Sequence, residues 1–197
     1  MFNHRGRTVQ FKTVRVFNDG GIFTFSSAVK IDTIAYMPAQ EFGNAYSLFV
    51  SQNYGACKNE RIKAGTEISC AAVAVFCALI SAVIFVFAKD LMCLFVDADK
   101  IMIIAEGARY LRIEGAMYVG IGIPFLWYGY FRGINKLNIS LLLTVISLGT
   151  RVLLSYTLAP NTVLGVVAIW ASIPVGWFLA DIAGCIFYRS NNSVKWK

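Results

Sequence analysis

Two acidic residues, Asp32 and Glu114, stand at the edges of long apolar stretches, where a carboxylate is chemically unusual. A charged side chain inside a lipid bilayer costs roughly 2.5–3.5 kcal/mol or more unless it is paired or hydrated, so it marks function by default. A pair of carboxylates at one depth can hold Na⁺ or exchange a proton. The sequence therefore predicts Asp32 and Glu114 as cation-coupling residues.

Helix rise places the two acids at similar heights. Asp32 precedes Gln52 by 20 residues, and Glu114 precedes Arg132 by 18 residues. At 1.5 Å per residue these spacings correspond to about 30 Å and about 27 Å. An alternative remains open, in which Lys30 neutralises Asp32 and Arg112 neutralises Glu114. Both pairs would then lie among the outer lipid headgroups.

Two further charges lie inside apolar segments. Arg151 is about 22 Å along a helix from Lys136 and is otherwise surrounded by apolar sequence. We expect it to be a structural partner for an acid or for backbone carbonyls. Asp181 lies about 12 Å from Arg189, and we expect local pairing between them.

Aromatic residues and prolines occur together in the same apolar segments. Tyr118, Trp127 and Tyr128 could line a cavity for organic cations through cation–π contacts, although aromatic residues facing lipid are also ordinary. Pro124 and Pro174 each interrupt a helical pattern and are candidate hinges. A packing kink is the alternative for both prolines.

The elements that carry these residues are predicted to be membrane helices. The 21 residues from Ile68 to Ala88 contain no charge, as do the 29 residues from Val152 to Ala180. A helix needs about 20 apolar residues to cross the hydrocarbon core. The chain is 57% hydrophobic, whereas soluble domains have about 45–50%. These features predict an all-α, polytopic membrane helix bundle.

Five transmembrane helices are expected, joined by short loops. Short loops imply antiparallel neighbours in a bundle. The predicted helices cover about residues 22–50, 63–95, 101–131, 137–158 and 163–188.

Lysine and arginine cluster on alternate loops, which predicts the orientation. The loops after the first and third helices and the C-terminal tail are basic, so this side and the C-terminus are expected to be cytoplasmic. The opposite loops contain Asp97, Asp99 and Lys100, or no charge. Because the basic residues do not form one patch, a nucleic-acid partner is not expected. The basic set is Lys58, Arg61, Lys63, Arg132, Lys136, Arg189, Lys195 and Lys197.

The N-terminal segment conflicts with this orientation. Residues 1–16 carry four basic residues and no acid, so they too favour the cytoplasmic side, which five helices do not allow. A missing preceding helix would resolve the conflict, and we expect the chain to be truncated. Residues 1–21 are then an atypical basic segment outside the native fold, 22–190 the bundle and 191–197 a cytoplasmic tail.

Histidine and cysteine usage excludes several kinds of site. His4 is the single histidine, which rules out a histidine-based metal centre or catalytic triad. The five cysteines show no CxxC spacing, and we interpret four of them as small packing residues within or beside the helices. No enzymatic activity and no cofactor are expected.

Three stretches together resemble the multidrug and toxic compound extrusion (MATE) family of transporters. The first, KIDTIAYMPAQEFGNAYSLFVSQNYGACKNERIKAG, is similar to a helix and basic loop of that family. The second, RYLRIEGAMYVGIGIPFLWYGYFRGINK, resembles its tenth helix, with Asn135 where a glycine is common. The third, SLGTRVLLSY followed by GVVAIWASIPVGWFLADIAG, resembles its last two helices.

The resemblance implies a fold of two six-helix lobes that alternate between inward and outward openings. It implies exchange of organic cations or drugs for H⁺ or Na⁺ across the plasma membrane. This chain resembles only the C-terminal lobe, so it would need an N-terminal lobe on a separate chain, or self-association. Two alternatives remain: a membrane remnant without transport activity, and a flippase for lipid-linked substrates.

Overall fold

The computed structural model describes residues 22–158 and 166–193, and within these ranges all regular structure is helical. This confirms the predicted all-α fold. The predictions for the basic N-terminal segment, for the uncharged loop near Pro160 and for Lys195 and Lys197 lie outside the described residues. The helices are α1 (Ile22–Gly55), α2 (Asn59–Cys93), α3 (Ile101–Gly115), α4 (Val119–Gly133), α5 (Leu137–Leu158) and α6 (Val166–Ser193).

The predicted third helix, 101–131, is in fact two helices separated at residues 116–118. The backbone tightens there: Met117 N–H donates to the Glu114 carbonyl at 3.0 Å, and Gly120 N–H donates to the Met117 carbonyl at 2.8 Å. Such three-residue spacing winds the chain more tightly than an α-helix and marks a local interruption. Ser81 of α2 also donates its hydroxyl hydrogen bond to the Gly115 carbonyl. The interruption is therefore supported by a neighbouring helix.

The prolines do not break the helices that contain them. Pro124 lies inside α4 and Pro174 lies inside α6, and both helices are continuous through them. Each proline removes one backbone N–H donor. In a membrane bundle, neighbouring helices can satisfy the carbonyl that this leaves unpaired. The interruption expected at Pro124 lies instead at residues 116–118, about two turns earlier. A hinge motion at either proline stays a prediction.

Two tight turns close the bundle at one end, after α1 and after α4. Cys57 and Asn135 have positive φ angles of 56° and 62°. Each turn has the paired hydrogen bonds of a Schellman motif, for example Lys136 N–H to the Phe131 carbonyl at 2.8 Å. Glycine and asparagine tolerate this left-handed conformation best. Asn135 therefore suits the position at which the family resemblance leads one to expect glycine.

Contacts between helices establish their relative directions. Asp32 of α1 meets Tyr118 at the start of α4, and Gly43 of α1 lies against Phe125 of α4, so α1 and α4 run parallel. In α1 and α2, Tyr46 pairs with Thr66, which makes these two helices antiparallel. The alternation agrees with the short predicted loops.

Among the described residues, three helices are long and apolar enough to cross a membrane: Asn59–Cys93, Leu137–Thr157 and Ile169–Ser190. The α1 helix is 34 residues long but carries charged residues along its length. The α3 and α4 helices have 15 residues each and are individually shorter than a span. Together they occupy the position of the single predicted helix.

The core of the bundle lies around α4, which contacts α1 most extensively. The glycines of α3 and α4 face several partners rather than one. Gly115 lies against Ile84 of α2, and Gly133 lies against Val50 of α1. Gly129 lies against the backbone of Gly43. Without side chains at these positions, the α4 backbone can approach its neighbours closely.

Candidate functional site

The interruption between α3 and α4 brings the two predicted acids together. Tyr118, the last residue of the interruption, donates its hydroxyl hydrogen bond to Oδ1 of Asp32 at 2.6 Å. Glu114 lies one turn before Tyr118, at the end of α3. All three side chains are buried, with Asp32 7% and Glu114 0% exposed. The helix-rise argument, which placed the acids at similar heights, thus agrees with the structure.

Glu114 is the most unusual member of this cluster. Both of its carboxylate oxygens are buried, and the described residues offer neither of them a hydrogen bond. The charged groups that act on it electrostatically are Asp32 and Arg151. A buried polar group without a partner costs about 1–3 kcal/mol, and more if it is charged. An ionised Glu114 carboxylate would therefore need a compensating positive charge.

The alternative neutralising pairs do not form. Lys30 is exposed and makes no ion pair with Asp32, and Arg112 makes none with Glu114. Arg112 instead donates to the carbonyl of Phe85 at 3.2 Å and lies 5.8 Å from the centre of the Phe85 ring. The physical reason is spacing, because residues two apart on a helix point in different directions.

An ion pair does form in the loop before α3. Lys100 Nζ donates to Oδ2 of Asp97 at 2.9 Å. This hydrogen bond and the lysine charge lower the pKa of Asp97 below its ordinary value, and the same contact raises the pKa of Lys100. Both groups are exposed, so this pair is a feature of the loop and not of the buried site.

Arg151 reaches the cluster from the other side of the bundle. It is half-buried on α5, and its Cγ lies 3.0 Å from the position that a Cβ on Gly176 would occupy. Its charge acts on both Asp32 and Glu114, although it forms no ion pair with either. No direct ion pair forms between Arg151 and either acid, and its role as a structural partner stays a prediction.

Residues that sequence analysis did not single out complete the cluster. Tyr110 is buried and packs edge-on against Trp170 of α6, with ring centres 5.6 Å apart. Elsewhere between α5 and α6, Ser172 and Ser155 share a hydrogen bond of 3.1 Å. A signal for Tyr110 existed, because it precedes Glu114 by four residues, and Tyr118 follows Glu114 by four. Tyr110 therefore shares the face of Glu114 on α3.

The predicted cavity aromatics occupy different environments. Tyr118 and Trp127 are buried within the bundle. Trp127 lies against Gly184, with its ring centre 5.3 Å from that of Tyr188. Tyr128 is half-buried near Thr144 on α5. A role in substrate binding stays a prediction for all three aromatics.

Asp181 lies apart from the cluster, on the half of α6 nearer the basic end. Its Oδ1 is buried without a hydrogen-bond partner among the described residues, and Tyr128 and Cys185 are within its electrostatic reach. Pairing with Arg189 stays a prediction. At the basic end itself, Arg132 donates to the side-chain oxygen of Asn44 at 2.8 Å.

The cluster suits a small cation better than a transition metal. Within residues 22–158 and 166–193, no three side chains among histidine, cysteine, aspartate and glutamate are grouped to hold a metal ion. Two carboxylates and tyrosine hydroxyls supply hard oxygen ligands, and the carboxylates can also accept a proton. These are the donor types that a proton or Na⁺ requires.

Comparison with known families decides the lineage of the chain. The family model MatE matches residues 24–157. The chain belongs to the MatE family. The predicted resemblance is therefore confirmed, and with it the assignment as a polytopic membrane protein.

Relatives extend this result over nearly the whole chain. The chain is 25% identical over 192 residues to the probable multidrug resistance protein YpnP of Bacillus subtilis (strain 168). The match covers 98% of this chain and 42% of YpnP. The chain thus spans about two fifths of the length of this MatE relative.

Solved structures show the same fold. An outward-facing multidrug resistance MATE family transporter of the MOP superfamily superposes with a TM-score of 0.86 at 22% identity, covering 98% of this chain and 43% of that one. A MOP superfamily transporter from Pyrococcus furiosus Vc1 (DSM3638) gives 0.83 at 22% identity, covering 96% and 43%. A MATE structure in complex with MaD3S gives 0.81 at 22% identity, covering 96% and 42%.

Proposed function

We propose that this chain forms the cation-coupling lobe of an antiporter that exports organic cations or other drugs in exchange for H⁺ or Na⁺. MatE family membership and the likeness to a probable multidrug resistance protein support the transport class. The observation that carries the coupling role is Glu114, which is fully buried with two unpartnered oxygens beside the Asp32–Tyr118 pair.

The physics of this cluster favours a reversible cation site. An ionised carboxylate inside a membrane bundle needs a compensating charge, which Glu114 lacks at short range. It is satisfied either by a proton or by Na⁺, which Asp32 and the neighbouring tyrosine hydroxyls could help to coordinate. Cation release leaves the negative charge of the carboxylate without a compensating positive charge. A change in helix arrangement that admits water would lower the free-energy cost of this buried charge. Binding and conformation are thereby linked.

The proposal includes a location and a partner. We place the protein in the plasma membrane with the C-terminus in the cytoplasm, on the basis of the alternation of lysine and arginine between loops. Transport by two rocking halves requires a second lobe. We propose that a separate chain or a second copy supplies it, since this chain spans about two fifths of its relatives.

Cation binding by the purified full-length chain tests the coupling role directly. We expect wild-type protein in detergent to bind ²²Na⁺, or to release protons when a cationic dye is added. Glu114→Gln should weaken this response at least tenfold, because the shape is kept and the charge is removed. Glu106→Gln is the matched control, since Glu106 lies two turns earlier on α3. A wild-type response from Glu114→Gln would reject the coupling role.

Transport assays test the partner requirement separately. Expressed alone in a strain lacking its own efflux pumps, the chain should give no added resistance to cationic dyes. Export should appear when a chain with the missing lobe is supplied. Robust gradient-driven export by this chain alone in liposomes would contradict the need for a separate lobe and would indicate a functional homodimer.

A further inference from the structure

A groove lies between α1 and α2, near the basic end of the bundle and away from the acidic cluster. Its volume is about 540 Å³, which falls within the range of about 300–1,000 Å³ typical of small-molecule sites. Phe42 and Phe49 of α1 and Ile68 of α2 form its apolar walls, and Arg61 is the charged residue that lines it.

The floor of this groove is built by specific contacts. The rings of Tyr46 and Phe49 are stacked, with centres 6.2 Å apart and planes at 22°. The Tyr46 hydroxyl shares a buried hydrogen bond of 2.5 Å with Thr66 of α2. Gly65 lies directly against the Phe49 ring, and a side chain there would collide with it. The groove is therefore a formed feature of the α1–α2 interface.

Arg61 has an unusual position at this groove. It lies in the first turn of α2 and is exposed, and the described residues give its guanidinium no hydrogen bond or ion pair. Arg132, at the same end of the bundle, is by contrast held by Asn44 and by the Tyr128 carbonyl. Lys58, which precedes α2, provides no side-chain cap. The first backbone N–H groups of α2 thus lack a side-chain cap from Lys58, so the positive end of the helix dipole adds to the charge of Arg61.

We propose that this groove binds an anionic phospholipid of the adjacent leaflet, with one acyl chain against the aromatic floor and the phosphate on Arg61. Arginine recognises phosphate through two parallel hydrogen bonds, and uncapped N–H groups at the start of a helix also favour anions. Basic pockets between membrane helices are suited to anionic headgroups. A cationic drug is excluded by the charge of Arg61, so the site is distinct from the proposed transport function and does not depend on it.

The test compares lipid binding by variants of the purified full-length chain in detergent. Native mass spectrometry would measure the retention of dioleoyl phosphatidylglycerol and dioleoyl phosphatidylcholine. We expect wild-type protein to prefer phosphatidylglycerol, and Arg61→Gln to weaken its binding at least fivefold. Lys63→Gln is the matched control, because Lys63 is an exposed basic residue two positions away that does not line the groove.

A second pair of variants tests the acyl-chain position. Ala64 lines the groove, so Ala64→Trp should fill it and weaken the binding of both lipids. Ala82 is similarly exposed on α2 but lies about 27 Å further along the helix, so Ala82→Trp should have no effect. Unchanged melting temperatures would show that each variant is folded.

Three results would overturn the proposal. Equal retention of the two lipids by wild-type protein would remove the headgroup preference. Equal losses in Arg61→Gln and Lys63→Gln would reduce the effect to diffuse surface charge. Full displacement of the lipid by glycerol phosphate at a comparable concentration would show that the acyl chain contributes nothing.

Discussion

The hydroxyl of Tyr118 donates to Oδ1 of Asp32 at 2.6 Å and joins α1 to the start of α4, although the two residues are 86 positions apart in the chain. Both side chains are buried, with Tyr118 1% and Asp32 7% exposed. This hydrogen bond fixes the start of α4 against α1 immediately after the interruption that follows Glu114. Because Glu114 lies just before this interruption, its position depends on the hydrogen bond between Tyr118 and Asp32.

Removal of this hydroxyl should destabilise the bundle. We expect Tyr118→Phe to lower the free energy of unfolding by about 1–3 kcal/mol, because a buried acceptor loses its donor. The change would be measured as a lower melting temperature in detergent. Tyr36→Phe is the control, since Tyr36 is half-buried on α1 and its hydroxyl makes no described hydrogen bond. Equal melting temperatures for the two variants would contradict this account.

Added side-chain volume at the α1–α4 contact should also destabilise the protein. A Cβ on Gly133 would lie 2.7 Å from Cβ of Val50 and 2.8 Å from the carbonyl oxygen of Ser47. Because backbone cannot move aside easily, we expect Gly133→Ala to cost about 1–3 kcal/mol, as overpacking usually does. The measurement is again thermal unfolding in detergent.

Gly149 offers a control of the same chemistry. It lies within α5, and a Cβ there would meet no atom within 4 Å. Gly149→Ala should leave stability unchanged or raise it by up to about 1 kcal/mol, because alanine favours helices. If both alanine substitutions shifted the melting temperature equally, the steric explanation would fail.

The proposed orientation predicts which loops face the outside of the cell. Asp97 lies in the loop between α2 and α3, and its side chain is 78% exposed. In a background without the five native cysteines, Asp97→Cys should react with a membrane-impermeant maleimide on intact cells. A variant that retains only Cys57, which is exposed in the turn after α1, is the control and should react only after permeabilisation. The reverse pattern would invert the topology.

The sequence was most informative where periodicity and charge act over many residues. The uncharged runs predicted a helical membrane bundle, and counting residues from Gln52 and Arg132 placed Asp32 and Glu114 at one level. These properties depend on helix rise and on hydrophobicity, which tertiary contacts change little. The family resemblance rested on three stretches in order and is confirmed.

The details of the site were less accessible because they depend on contacts between distant residues. Nothing local marks residues 116–118 as an interruption. The Gly115 carbonyl there accepts a long hydrogen bond of 3.4 Å from Tyr118 N–H and a second one from Ser81 of another helix. The neutralising pairs considered for Asp32 and Glu114 fail for a simpler reason, because Lys30 and Arg112 are each two residues from the acid. The same rule, applied at a spacing of four, would have identified Tyr110 as a neighbour of Glu114.

The uneven hydrophobicity of the helices has a consequence for biogenesis. The α2, α5 and α6 helices qualify as spans by themselves, whereas α1 carries Asp32 in a segment that does not. Tyr118 is synthesised 86 residues after Asp32, and at about 5–20 residues per second this takes about 4–17 s. During that interval the Asp32 carboxylate has no tyrosine donor. Stable integration of α1 should therefore wait for α4, so that insertion by the translocon is a cooperative event for the two helices.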